Sequence, residues 1–440
     1  MNHTIQSAAS PAGRTTRQLV RSFTLLAVTL GLACDGNSIT VDLDQPAEEQ
    51  WRTDLSFLTD QMRSIHPNLF HTIPRAEFEA ATRRLHEAIP TLDNDEIFVE
   101  FLRLVALPAQ ERDGHTALTY FVGTDNDIVP LKFYRFADGV HVVQAAPDLA
   151  HLVGLRLVGI GSLPLDAVNG LIDPLIPRDN TNSLITSRNL TYITPAILSA
   201  LGVVPDATAP VYRFESATGA EISETVPAVR ASEYGLDASI NLPSTPDDPL
   251  YLTGRSDAFW LRHFPEQATL YLRFNRVAPT SSGEDLNAFG ARALDIVEQN
   301  HVDRIIIDLR HNNGGNNQLI SGMMDFFADA RIDGPDRLVV FTDRQTFSAA
   351  GNLVASLAQE TSAIFVGVSP GGSGSQYGDV QRIDLPYSGI GAFIPTRHWE
   401  FGGSSSQEIE HPMDVTLEPS AEDYFGGRDP VLERYLGSGS

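Results

Sequence analysis

VDRIIIDLRHNNGGNNQLI, residues 302–320, and LVVFTDRQTFSAAGNLVASLAQ, residues 338–359, decide the fold. Ile305, Ile306 and Ile307 in a row read as a strand covered on both faces, as a parallel strand in a layered α/β core requires. HNNGG follows as a turn, in which Gly314 and Gly315 allow positive φ and close backbone approach. A helix then starts near Asn317, with Leu319, Ile320, Met323, Met324 and Phe327 on one face. The second stretch repeats the plan: a strand at 338–341, a turn at TDRQ, and a helix opened by FSAA and running to about Gln359. Ser348 stands at that junction, where free N–H groups and the helix dipole favour negative charge. A Ser at a helix start serves as an N-cap or, beside a base, as an acyl-transfer nucleophile.

Outward from this core, the chain has 440 residues, enough for two or three domains. Its formal charge of −25 argues against a nucleic-acid partner, since phosphates need cations. Lys132 is the one lysine. Cys34 is the one cysteine, so an intrachain disulfide is impossible. Arg14, Arg17 and Arg21 precede a short apolar run at 23–32 that ends in Gly-Leu-Ala-Cys, the layout of a secretory signal peptide.

Helical periodicity begins at Ala47, with Trp51, Leu55, Leu58, Met62 and Ile65 on one face, and predicts two more helices at 75–89 and 95–107. His66 and His71 flank the first turn without a metal-ligand spacing and read as packing and loop polarity. RDGHTAL, residues 112–118, puts His115 on a turn before an alternating strand. Residues 133–172 suggest a small β-rich module, and 211–226 a hairpin turning at Thr218-Gly219. A helix at 194–201 would have Thr194 as its N-cap, residues 244–248 (STPDD) read as a linker, a strand is expected at 269–275 and an amphipathic helix at 284–300.

The DLRHNNGG and FSAA motifs, in this order and followed by IFVGVSPGGSGSQYGD at 364–379, resemble the C-terminal processing peptidases (tail-specific proteases) and their tricorn-like relatives. The resemblance spans roughly 51–432. It implies an α+β or mixed α/β fold with an N-terminal helical domain (47–110), a β-rich PDZ-like or cap module with the DGHT segment (111–249), and a ClpP/crotonase-like catalytic core (250–433). It further implies Ser348 as nucleophile, His115 as general base, and an oxyanion hole from Ala349 and one of Gly314 or Gly315. The lysine of the family's Ser–Lys members is replaced by Gly372-Ser373-Gly374, leaving Ser–His chemistry. A third residue would be Glu408, with Glu400 and Glu410 as alternatives, and such a carboxylate would hold the His115 pKa in the range about 6 to 7.5. No cofactor or metal is implied, and the partner is a peptide or protein substrate. The rival reading is a non-catalytic binding protein on the same fold, like the retinoid-binding relatives.

The N-terminus resembles a bacterial lipoprotein signal (1–34) followed by a polar tether (35–46), which implies an exported protein held to a membrane of the cell envelope by lipid on Cys34. Cys34→Ala is expected to move the exported protein from the membrane fraction to the soluble one. An intact mass showing an unmodified Cys34, or a mature start well past it, rejects this reading.

Overall fold

The centre of the molecule is a six-stranded sheet in the order 259–264, 269–274, 304–308, 338–342, 364–367, 415–416. The first strand is antiparallel and the other five run parallel. The parallel strands lie side by side in chain order. Right-handed crossovers therefore put the connecting helices on one face. That face packs Leu270, Leu272, Ile305, Ile307, Leu338 and Val340 against Phe289, Met323, Phe327 and Leu353 of the helices Leu286–Gln299, Ile320–Phe327 and Ala349–Glu360. The opposite face, with Tyr271, Ile306, Val339, Phe341 and Val366, is covered by the C-terminal helix Pro430–Leu436. Both faces are dry, which is why the three isoleucines run without alternation.

The structure, a computed structural model, describes residues 46–119, 126–234, 242–243, 248–403 and 408–437. They belong to one compact unit, Leu43–Ser440. The signal segment, Cys34 and all but the last residue of the tether lie outside the described residues, as do Tyr120, Phe121 and most of the STPDD linker. Among the described residues no helix is long and apolar enough to cross a membrane.

One buried ionic network fixes the end of the Arg304–Asp308 strand. The Arg310 guanidinium donates to both Asp429 oxygens at 2.9 and 2.8 Å and, through Nε, to Asp308 at 3.0 and 3.1 Å. Asp308 also accepts from the Tyr271 hydroxyl at 2.7 Å. Asp429 in turn caps the C-terminal helix, accepting from Val431 and Leu432 N–H. Arg310 lies over the Tyr251 ring, 4.1 Å from its centroid. Burial alone would raise the Asp308 carboxyl, but Arg310 and Arg273 override it and hold it down at about 2.

The other layers gather around this core. Helices Ala47–Ile65, Arg75–Ala88 and Asn94–Ala106 form the N-terminal bundle; Asp93 and Glu96 close a capping box on the third. The bundle packs on a long antiparallel hairpin, Ser375–Asp384 with Gly391–Glu400, through Leu385, Ala392 and Ile394. The buried Asp54 carboxylate accepts the N–H groups of Tyr387 and Ser388 at the hairpin's turn, both at 2.9 Å. A second sheet is built from 131–136, 139–145, 156–160, 211–215 and 221–225, all antiparallel, with the short 163–164 strand pairing 156–160. Helices Leu165–Ile172 and Thr181–Thr191 lie between its strands in the chain. The long hairpin begins at Ser375, inside the IFVGVSPGGSGSQYGD stretch, and runs on to Glu400. The helix at Pro195–Ala200 forms without the expected cap, because the Thr194 hydroxyl donates back to the Leu190 carbonyl.

The network makes a definite expectation. Arg310→Leu leaves Asp308 and Asp429 buried without their shared cation and should cost about 3–5 kcal/mol in urea unfolding. The Asp308 carboxyl is depressed relative to the unfolded chain, so its contribution is complete above about pH 4 and fades as pH falls toward about 2. Loss of less than about 1 kcal/mol would show that the network does not hold the strand end.

Candidate active site

Two loops meet at the carboxyl ends of neighbouring parallel strands. The 309–315 loop follows Arg304–Asp308, and the 343–348 loop follows Leu338–Thr342. The Phe347 N–H donates to the Asn312 carbonyl at 3.0 Å, and the Thr346 hydroxyl donates to the Leu309 carbonyl at 2.9 Å. Asn312 is wholly buried, and its amide donates to the Phe274 carbonyl at 3.0 Å. These bonds set Ser348 on a sharp strand-to-helix turn with φ 54° and ψ −128°. That backbone is costly for a residue with a Cβ, on the order of 1–3 kcal/mol, and it persists because both flanks are pinned. Beneath it, Gln376 donates to the Ser348 carbonyl at 2.8 Å and to Asn352 at 2.9 Å, and Asn352 donates to Asn317 at 2.8 Å.

The Ser348 side chain makes no capping bond to its helix. Its Oγ lies 3.0 Å from Nε2 of His115. The two residues are 233 apart in sequence. His115 arrives on the DGHT turn, which is shaped by Asp113: Oδ1 of this buried carboxylate accepts from the Thr116 N–H at 3.2 Å and hydroxyl at 2.7 Å. The strand Ala117–Thr119 then pairs with the hairpin strand Gly391–Glu400, and the Tyr377 N–H donates to the Arg112 carbonyl at 2.8 Å. The imidazole stacks on Phe347, with centroids 4.8 Å apart.

Burial pushes the His115 ring below its usual range, outweighing the opposing pull of Asp113, the Tyr377 backbone and Asp379. This corrects the expectation of a value held up by a partner carboxylate. No carboxylate bonds Nδ1; the Tyr377 backbone is the hydrogen-bonding group that acts on the ring. Glu408 and Glu410 are exposed and do not bond the ring; Glu400, also exposed, acts on His398 instead. Only the backbone between the first two comes near the site: the Ile409 carbonyl accepts from Ser373 Oγ at 3.0 Å and from Asn180 at 3.2 Å.

The backbone donors are sorted by the structure. The Gly314 N–H is taken by the Asn312 side chain at 2.9 Å, so Gly314 is not available to an oxyanion. Gly315 pairs with Val277 only through its neighbours, Val277 N–H to Gly314 and Asn316 N–H to Val277. Its own N–H, and that of Ala349 in the first helical turn, make no hydrogen bond among the described residues. The role of Gly314 is steric. Its φ is +101°, and a Cβ there would sit 2.6 Å from Ser348 Cβ and 2.9 Å from Ala349 N. The Gly372-Ser373-Gly374 segment also abuts the turn, since a Cβ on Gly372 would lie 2.8 Å from Ser348 N. Lys132 sits on the 131–136 strand of the other sheet, mostly buried.

Two features support the site, of which Asp179 escaped the sequence and His66 was read there as packing and loop polarity. Asp179, fully buried, accepts the Gly114 N–H at 2.6 Å and the Ser373 N–H at 3.4 Å, bridging the His115 turn to the segment beside Ser348. Burial pushes its carboxyl up to about 7 against those two bonds. His66 is the second: Asn68 N–H donates to its Nδ1 at 3.1 Å, so Nε2 carries the proton and donates to Asp113 at 3.2 Å. His66, His71 and Asp113 bring three ligand atoms within 4.8 Å of one another. The Asn68 N–H occupies the His66 Nδ1 lone pair, and the two His71 nitrogens face the carbonyls of Asn68 at 3.0 Å and Glu111 at 2.9 Å, which tie both rings to the backbone of the turn. The cluster therefore works as support for the turn.

No family model matches the sequence, and no curated protein matches it. Solved structures do share the fold. Mature CPAF complexed with lactacystin superposes with a TM-score of 0.57 at 12% identity, over 88% of this chain and 97% of that one. A second structure, of mature CPAF, gives 0.55 at 12% identity, over 89% and 99%. The photosystem II D1 C-terminal processing protease is more distant, at 0.38 and 14% identity, over 90% and 98%. The mixed α/β architecture that the sequence resemblance implies is thus met over nearly the whole chain.

An Ala at position 314 would force its Cβ into Ser348. Gly314→Ala should cost about 1–3 kcal/mol in urea unfolding, the scale of overpacking a tight contact. A loss below about 0.5 kcal/mol would show that the two loops need not meet so closely.

Proposed function

We propose that the chain is an exported serine peptidase that cleaves peptide bonds through an acyl-enzyme on Ser348. The observation that carries the proposal is the 3.0 Å contact between Ser348 Oγ and His115 Nε2, on a strained turn whose hydroxyl has no capping role. A serine that merely capped its helix would point its oxygen at the helical N–H groups.

In this reading His115 Nε2 takes the hydroxyl proton as Oγ attacks the substrate carbonyl. The tetrahedral oxyanion receives the N–H groups of Ala349 and Gly315. The amine leaves with the proton from His115, and water, deprotonated by the same nitrogen, releases the acid. No lysine dyad is needed, because the position beside Ser348 is filled by Gly372 and its neighbours. The Tyr377 backbone and the charges of Asp113 and Asp379 favour the transient imidazolium, in place of a directly bonded carboxylate. The lipid anchor on Cys34 and a place in the cell envelope complete the proposal and rest on the signal-like sequence alone.

The base must be neutral to act, so activity should fall as pH drops through the His115 pKa. Since burial lowers that pKa, the acid limb of kcat/KM should lie below about 6.5. Ser348→Ala should lose about a million-fold in kcat on a peptide substrate, as for serine peptidases whose nucleophile is removed. His115→Ala should lose nearly all activity and Lys132→Met should keep most of it. The reverse pattern in the last two, or an acid limb at or above pH 7, would overturn the mechanism.

A further inference from the structure

A cleft of about 370 Å³ opens beside Gly314 and Gly315, and its charge is opposite to that of the molecule. Arg255, Arg273, Arg276 and His311 line it together with Gly314 and Gly315. No carboxylate is among its described lining residues, although the chain carries a net charge of −25. Arg255 gives Nε to the Leu252 carbonyl at 2.8 Å and Nη1 to the Leu242 carbonyl; its Nη2 has no acceptor among the described residues. Arg273 is 1% exposed and gives Nη1 to Asp308, while its Nε has no acceptor. Arg276 is exposed and gives Nη2 to the Ser256 carbonyl at 3.3 Å. Neither Arg255 nor Arg276 forms an ion pair among the described residues; Asp248 acts on Arg255 only from a distance. Arg273 is paired with Asp308, Arg310 with Asp308 and Asp429, and His311 faces Asp343 at 3.4 Å, so among the described residues the cations of the cleft without a carboxylate are Arg255 and Arg276.

Arg255 and Arg276, without carboxylate partners among the described residues, repel one another, and enclosed N–H groups without acceptors cost about 1–3 kcal/mol each. An anion in the cleft would relieve both. The cleft shares Gly314 and Gly315 with the turn at Ser348, so a chain whose scissile carbonyl sat on the Gly315 N–H would extend within reach of these arginines. We propose that the cleft is a subsite that takes a carboxylate of the substrate, either an acidic side chain or a free C-terminus. The proposal rests on the peptidase reading for the path of the peptide. It makes a different demand, that selectivity reside in charge next to the oxyanion donors. A planar carboxylate suits the guanidinium fork, and charge-assisted bonds of this kind are about twice as strong as neutral ones.

Binding to Ser348→Ala protein separates this claim from catalysis, because no turnover is required. Fluorescence anisotropy would compare a labelled peptide bearing a C-terminal carboxylate with its amide twin, and an internal-Glu peptide with its Gln twin, both amidated. At least one anionic member should bind tenfold or more tightly than its neutral twin, and which pair responds identifies the source of the carboxylate. Adding Arg255→Gln and Arg276→Gln, with the fold checked by circular dichroism and melting, should cut that preference below threefold. Equal binding within both pairs, a preference that survives the arginine changes, or no measurable binding of any anionic peptide at millimolar concentration would overturn the subsite. Failure of hydrolysis in the parent protein, with the charge preference intact, would overturn only the peptidase reading.

Discussion

The backbone bond from the Phe347 N–H to the Asn312 carbonyl, 3.0 Å long, is the constraint on which the site depends. With the Thr346 hydroxyl on the Leu309 carbonyl and the His311 N–H on Asp343, it joins two loops that belong to adjacent parallel strands. Once they are joined, Gly314 lies against Ser348, the Ser348 backbone is forced to positive φ, and its side chain is aimed away from its own helix. The joint would be floppy if the strand ends could move. The buried Arg310, bound to Asp308 on one side and Asp429 on the other, prevents that by tying the 304–308 strand to the C-terminal helix. Such pairs contribute little net stability relative to apolar packing, and their value here is in fixing geometry.

His115 is placed by a separate set of forces. Asp113 shapes its turn, Asp179 holds the neighbouring Gly114 N–H, and the long hairpin carries the turn across to Ser348. The hairpin is itself clamped by Asp54 of the first helix. The N-terminal bundle is therefore coupled to the site through a chain of buried carboxylates, each accepting backbone N–H groups. Burial of the imidazole lowers its affinity for a proton, so the ring stays neutral over a wider acid range.

Much of this was legible from the residues. The triple isoleucine predicts a strand covered on both faces, and Ile305 and Ile307 on one side with Ile306 on the other are buried as that requires. The FSAA start and the DGHT turn point to Ser348 and His115, which stand 3.0 Å apart. The hairpin at 375–400 was hidden because GGSGSQYGD reads as a loop and its apolar alternation begins only beyond it. Thr181–Thr191 was hidden because its polar residues show no apolar stripe and it is held by the Asn180–Ser183 capping box. Glu408 fails as a partner for His115 because its carboxylate is exposed, and only the Ile409 carbonyl next to it turns inward, onto Ser373 and Asn180. The choice between Gly314 and Gly315 needed the side chain of Asn312, which takes the first N–H.

The account stands on one claim, that Ser348 is an activated nucleophile. Treatment of the folded protein with a fluorophosphonate, followed by peptide mass spectrometry, tests it most directly. The account predicts a single adduct on Ser348 that is lost when His115 is replaced by Ala. An unlabelled, folded protein, or an adduct on a different serine, would contradict it.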